Sequence, residues 1–373
     1  MTNWIEPGRT IGMIGGGNQA YLTALAAKRL GYRIGSIDPD PNCPIASISD
    51  WMIESDLDDE AKLIELAYKS DVVFYEDEQM STDILVQMMR TVSVPQGDEL
   101  LSVAQDRMLQ KSYLENQSIN IAPFATIVTI EDIAEAIEGI GYPCILKRNQ
   151  QAPFDFDSQV LYGEEDIGKA RKLLNKGTCV LEAWIPAERE CTLTAVKDSG
   201  GTIHFYPVTE TFHRDGKLSQ TITPARIEEE MEREMQAVIK RVGEGLTFRG
   251  VFGVEVFVAS TGTIYVNEVL AFPHMAAAYS LHTTNISQYE MQVRALCGWP
   301  LPKIELKGQT LLVPFTKKQQ GKVLIRLQKN PNWFIQFYPD KENTGAWTGH
   351  FAIQTSKVEE TLKIIADMDL WKE

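Results

Sequence analysis

A doubly wound α/β unit leading into layered α+β structure is the fold class predicted for this 373-residue chain, on three observations. Residues 9–40 run strand, glycine turn, helix, strand: RTIGMIGGGNQA, YLTALAAKRLGY, then RIGSIDPD. Leu22, Leu25, Ala26 and Leu30 fall at helical spacing and Gly31 can end that helix. A second unit repeats the pattern, with helix DDEAKLIELAYKS and strand DVVFYE, which makes the start Rossmann-like. From about residue 122 the order changes. A helix at 131–139, strand YPCILK and strand CVLEAWI are followed by antiparallel ECTLTAV and TIHFYPV. A long helix over 227–245 then precedes the hairpin GVEVFVASTGTIYVNEV, residues 253–269. The expected domains are 1–100 (Rossmann-like), 101–185 (small α+β, joined by the charged helix QDRMLQKSYLENQ) and 186–373 (a larger sheet-based domain).

Composition narrows the function classes. With 44% hydrophobic residues the chain has material for several cores, and no apolar run reaches the length of a membrane span. The start, MTNWIEPGRT, has no signal-peptide pattern. A formal charge of −15 argues against a nucleic-acid partner. The five cysteines are scattered, with no CxxC pair, as expected of reduced thiols in a cytoplasmic protein.

The glycine run GGGNQA fits G-x-G-x-x-A between a strand and a helix, with Asp38 at the end of the next strand. Alone it reads as a dinucleotide fingerprint, or as a plain tight turn. The hairpin is more informative. With Thr261 and Gly262 as turn residues, Glu255 pairs with Glu268, Phe257 with Val266 and Ala259 with Ile264 on one face. Two carboxylates about 5 Å apart repel by roughly 3 kcal/mol at an effective dielectric near 20. A divalent cation between them removes that cost, and two carboxylates completed by water and phosphate suit Mg²⁺. Asn267 offers a neutral oxygen next door, although strict alternation turns it to the other face. Lys147, ending the strand PCILK, reads as a phosphate donor or as an ordinary surface lysine. Glu182 and Glu190 flank an extended Ala183-Trp184-Ile185-Pro186 segment. Extended backbone there can bond an adenine edge, and a carboxylate can accept from ribose hydroxyls.

Together these segments resemble the ATP-grasp superfamily, and within it the carboxyaminoimidazole ribonucleotide synthetase family. The carrying stretches run in order from about residue 9 to 350: IGMIGGG, IDPDPNCP, DVVFYEDE, QDRMLQK, YPCILK, VLEAWIPAERE, FYPVTETFHRDG, GVFGVEVFV, VNEVLAFPH and ISQYEMQVRALCGWPLP. The resemblance implies an ATP-grasp fold behind a Rossmann-like pre-ATP-grasp domain. It implies a ligase of purine biosynthesis, with cofactors ATP and Mg²⁺. Bicarbonate and aminoimidazole ribonucleotide are the implied substrates, and a homodimer the implied assembly. It assigns Arg107 and Lys147 to nucleotide phosphates, Glu182, Ala183, Trp184 and Ile185 to the adenine hinge, and Glu190 to the ribose. His213 falls near the nucleotide. Glu255 and Glu268 become the metal carboxylates, with Asn267 beside them; Lys147, Glu255 and Glu268 are the catalytic set.

The chain also departs from that family's motifs. The glycine-rich lid T-G-G-Y-D-G-K-G-Q is replaced by NQQAPFDFDSQ, which keeps Asp155 and Gln159 but puts Phe156 and Ser158 at glycine positions. G-G-G-Q-L-G-R is GGGNQAY, Phe272 stands where an arginine is expected, and Ala346 and Trp347 replace two cations. These changes leave two alternatives: a paralogue that joins another carboxylate and amine, or a nucleotide-binding protein without turnover.

Overall fold

The computed structural model describes residues 4–150, 158–339 and 347–371. Three sheets organise it. The first is parallel and built from β1 (Thr10–Ile14), β2 (Arg33–Asp38), β3 (Trp51–Glu54) and β4 (Val72–Tyr75) in the order β3-β2-β1-β4. β1 and β4 are buried along their whole length, so they read as unbroken apolar runs, TIGMI and VVFY. The Asn18–Arg29 helix follows the glycine turn and buries Leu22, Ala26 and their neighbours.

The second sheet holds β5 (Phe124–Ile127), β6 (Cys144–Arg148), β7 (Ser158–Leu161) and β8 (Cys179–Ala183), ordered β5-β8-β6-β7 and antiparallel throughout. One face packs on the Ile130–Ile140 helix, which starts with a Thr129/Asp132 capping box. Lys147, Ile145 and Glu182 share the other face, because Ile145 pairs with Glu182 and residues two apart on a strand point the same way.

The third sheet has nine strands: β9 (Ala187–Lys197), β10 (Ile203–Phe205), β11 (Thr209–Arg214), β12 (Lys217–Thr223), β13 (Gly250–Ala259), β14 (Ile264–Leu270), β15 (Thr310–Thr316), β16 (Phe334–Phe337) and β17 (Trp347–Gln354). Their order is β14-β13-β9-β11-β12-β15-β17-β16, with β10 added on β9. The Glu229–Glu244 helix buries Met235, Val238, Ile239 and Val242 against it. One core cluster runs from the first sheet's Ile14 and Tyr75 through to Phe252 and Val266 of the third, which ties the two together. No helix among the described residues is long and apolar enough to cross a membrane.

Two expectations need correction. The β13–β14 turn is a three-residue loop, Ser260–Gly262. The Ala259 amide donates to the Thr263 carbonyl at 3.0 Å, and Gly262 takes the left-handed conformation (φ +82°) that such a loop requires. The register also differs. Glu255 does pair with Glu268, but a bulge follows, so that Val256 pairs with Val266, Phe257 with Tyr265 and Val258 with Ile264. Val266 and Ile264 therefore go to the core, and Phe257 and Tyr265 take the carboxylate face.

Candidate active site

The bulge settles where Asn267 points. An extra residue in β14 breaks strict alternation, so Asn267 and Glu268 are both half-buried on one face between the buried Val266 and Val269. The Asn267 amide nitrogen donates to Glu255 Oε2 at 3.4 Å, while its Oδ1 accepts from Lys147 Nζ at 3.2 Å. Burial, and then the Glu268 charge, push the Glu255 carboxyl up to about 7. A cation beside it would favour its charged form. No cluster of three or more His, Cys, Asp or Glu ligands exists among the described residues. Two carboxylates and an amide oxygen fit a hard ion that takes its remaining ligands from water and phosphate.

Lys147 links this hairpin to the small sheet. Its ammonium is 3.1 Å from Glu182 Oε2 as well as 3.2 Å from Asn267, which leaves one of three N–H groups for another acceptor. Glu182 is 3% exposed. Burial alone raises its carboxyl, but Lys147, Lys111 and Arg107 outweigh burial and hold it below the usual carboxylate range. The Arg107–Asn116 helix that carries Arg107 begins at Asp106, whose carboxylate caps the Leu109 amide at 2.9 Å. Asn149 fixes that start to the end of β6: its carbonyl accepts from the Arg107 amide, and its side chain donates to Asp106.

Beside the ion cluster lies a cleft of about 220 Å³, lined by Lys147, Glu182–Ala187, Glu190, Phe257, Tyr265 and Asn267. Its hinge is narrower in donors than the sequence suggests. The Ala183 amide donates to the Pro123 carbonyl (2.9 Å) and the Trp184 amide to the Pro143 carbonyl (3.1 Å). The Ile185 amide has no acceptor among the described residues, which makes it the hinge donor left for a ligand. Glu190 meets His213 directly, Oε2 to Nδ1 at 2.5 Å, beside a bulge at which β12 carries the extra residue, Ser219, opposite the Phe212–His213 step of β11. Burial lowers the His213 pKa, but the Glu190 bond together with the Glu255, Glu190 and Glu268 charges raises it overall.

One sequence-assigned lid residue does not join this set. Gln159 pairs with Leu146, so alternation puts it on the helix-covered face, opposite Lys147, and its amide donates to the Val160 carbonyl. Asp155 lies outside the described residues. The glycine run also reads differently in three dimensions. Asp38 Oδ2 accepts the Gly16 amide at 2.6 Å, and Glu76 Oε1 accepts the Gln19 amide at 2.9 Å. A Cβ on Gly17 would come 2.8 Å from Glu76 Oε1. These glycines make room for the chain's own carboxylates at the helix N-terminus, where a dinucleotide phosphate would have to sit.

Reading the sequence missed Lys111, which reaches Glu182 Oε2 at 3.3 Å, and Glu78. Burial and the Glu268 charge drive the Glu78 carboxyl well above its usual range. The available signal for Lys111 was its place four residues after Arg107, on one face of the same helix.

Known proteins place the architecture. Residues 8–105 match the ribonucleotide synthetase preATP-grasp domain and residues 112–289 the ATP-grasp domain. The chain is 32% identical over 362 residues to N5-carboxyaminoimidazole ribonucleotide synthase of Staphylococcus aureus (strain COL), which covers 96% of each protein. A crystal structure of N5-carboxyaminoimidazole ribonucleotide synthetase in complex with ADP superposes with a TM-score of 0.96 at 32% identity, over 100% of this chain and 99% of that one. The ADP complex of the Staphylococcus aureus synthetase gives 0.94 at 30%, over 98% of each. Similarity at this level, along the whole length and with both halves in order, means that the chain belongs to the N5-carboxyaminoimidazole ribonucleotide synthase family and has its ATP-grasp fold.

Proposed function

We propose that this chain is an ATP-dependent ligase that uses bicarbonate to carboxylate the amine of 5-aminoimidazole ribonucleotide, a step of purine biosynthesis. One observation carries the reading: a single ammonium, that of Lys147, ties the hinge carboxylate Glu182 to the Glu255–Asn267–Glu268 hairpin. Mg-ATP, when bound, supplies the phosphoryl group that activates bicarbonate. Glu255, Glu268 and Asn267 would hold the ion, Lys147 and Arg107 the phosphates, and the Ile185 amide the adenine edge. Glu190, oriented by His213, would take the ribose. Segments 101–185 and 186–373 are the two halves of this clamp. Fixed charge placed around the phosphates lowers the barrier without reorganisation cost. Five buried cysteines, none of them in a disulfide, support a cytoplasmic location, and a homodimer is the proposed assembly.

A second reading is favoured by where the altered motifs meet. Asn18 of the glycine loop donates its side-chain amide to the Trp347 carbonyl at 3.1 Å. Phe272 and Trp347 pack on the same apolar cluster. This wall is aromatic and amide-lined, so it suits an amine acceptor that carries no phosphate. ADP release is measured with Mg-ATP and bicarbonate alone, then with aminoimidazole ribonucleotide, then with its dephosphorylated riboside. Stimulation by the ribonucleotide supports the first reading and stimulation by the riboside alone the second. Mg-ATP binding without turnover on either overturns both.

A further inference from the structure

Lys111 is a charged group of the buried ion cluster with no part in the scheme above. It is 3% exposed, although a lysine stem is long enough to carry its ammonium to water. Instead the ammonium lies 3.3 Å from Glu182 Oε2 and 5.5 Å from the centre of the Phe124 ring. Lys147 reaches that same oxygen at 3.1 Å. Glu182 Oε1 is buried and has no hydrogen-bond partner among the described residues. Two cations thus converge on one oxygen while the other is left unpaired. A buried charge without full pairing is unfavourable, so this arrangement is not one that stability alone favours.

We propose that Lys111 is a positioning residue for the nucleotide phosphates, sharing the Glu182 charge so that the Lys147 ammonium stays extended toward Asn267 and the phosphate side of the cleft. The inference rests on the Mg-ATP reading given above. With both lysines present, the Lys111–Glu182–Lys147 group carries one surplus positive charge, which faces the anionic ligand. Without Lys111, Glu182 neutralises Lys147 and draws it away from Asn267. The surplus charge is lost even though no group touching the nucleotide has been changed.

Calorimetric titration of the whole protein with Mg-ADP tests this without any need for turnover. Lys111→Met is expected to weaken Mg-ADP binding by about tenfold or more, the scale of one lost charged hydrogen bond. Lys111→Arg, which keeps the charge, is expected to bind within about threefold of wild type. The double variant Lys111→Met/Glu182→Gln is expected to bind more tightly than Lys111→Met, since a neutral amide no longer captures Lys147. A purely structural role gives no such recovery. Lys111→Gln covers the case in which the methionine variant does not fold, because its amide can still bond Glu182; the same weakening is expected. Wild-type affinity in Lys111→Met or Lys111→Gln, or a double variant weaker than Lys111→Met, overturns the inference. A wild-type protein that binds no Mg-ADP overturns the nucleotide reading instead.

Discussion

At the residue scale, Glu255 and Glu268 set stability against function. Directly opposed across β13 and β14, they bring two carboxylates into a half-buried place where Glu255 is held up to about 7 by burial and by Glu268. Glu255→Gln removes the repulsion and keeps the shape. The ligand-free variant is therefore expected to melt above wild type at pH 8, where wild-type Glu255 is ionised, while ADP formation falls by about 10² or more. Glu268→Gln is expected to lose activity likewise. Thermal unfolding and the ADP assay check both halves. A Glu255→Gln protein less stable than wild type at pH 8 would mean that the pair is held by some contact other than a cation.

At the element scale, the bulge in β14 brings Asn267 onto the face that carries Glu255 and Glu268. Deleting Asn267 leaves a regular hairpin in which Glu255 still faces Glu268 and the core valines keep their partners. Melting temperature is expected to stay within a few degrees of wild type. Mg-ADP affinity is expected to drop by about tenfold, for the lost bonds to Lys147 and Glu255. A deletion that unfolds the protein would show the bulge to be structural. The hairpin and the facing of Glu255 and Glu268 were legible in sequence because two-residue alternation marks a strand pair. The bulge was not, because an inserted residue looks like ordinary sequence until its partner strand is known. The first sheet was legible from its glycine turn and helical periodicity. The order of the nine-stranded sheet was not, since β9 joins β13 to β11 across long separations that leave no local pattern. Lys111 escaped for a related reason: on a helix of low apolarity, a lysine looks like solvent-facing surface until Glu182 is placed beneath it.

At the scale of the whole molecule, buried titrating groups of two kinds give the ligand-free protein a lopsided pH profile. Burial lowers His274 to about 3 and His282 to about 4, and lowers His350 well below 6.5, with His282 adding to the effect on His350. His282 and His350 share a hydrogen bond of 3.1 Å, and His350 meets Tyr338 at 2.5 Å, so protonation breaks a buried chain. Depressed histidines contribute stability that is complete above their unfolded value of 6.5 and is lost as pH falls below it. The raised carboxyls act in the opposite sense. Burial pushes Glu76 up to about 8 and Glu255 to about 7, and Glu78 lies well above its ordinary value. Their contribution is complete below about 4.5 and drains away as pH climbs through 7 to 8. Between about 4.5 and 6.5 the two slopes oppose each other; above 6.5 the histidines are silent and only the carboxyls still titrate. The melting temperature of the ligand-free chain is therefore expected to level off near pH 5–6.5 and to fall from 6.5 to 8. Added Mg²⁺ should recover part of that fall by neutralising Glu255 and Glu268. A melting temperature that rises from pH 6.5 to 8 without ligand would contradict the burial that raises Glu76, Glu78 and Glu255, and with it the argument that the cleft is ready for a cation.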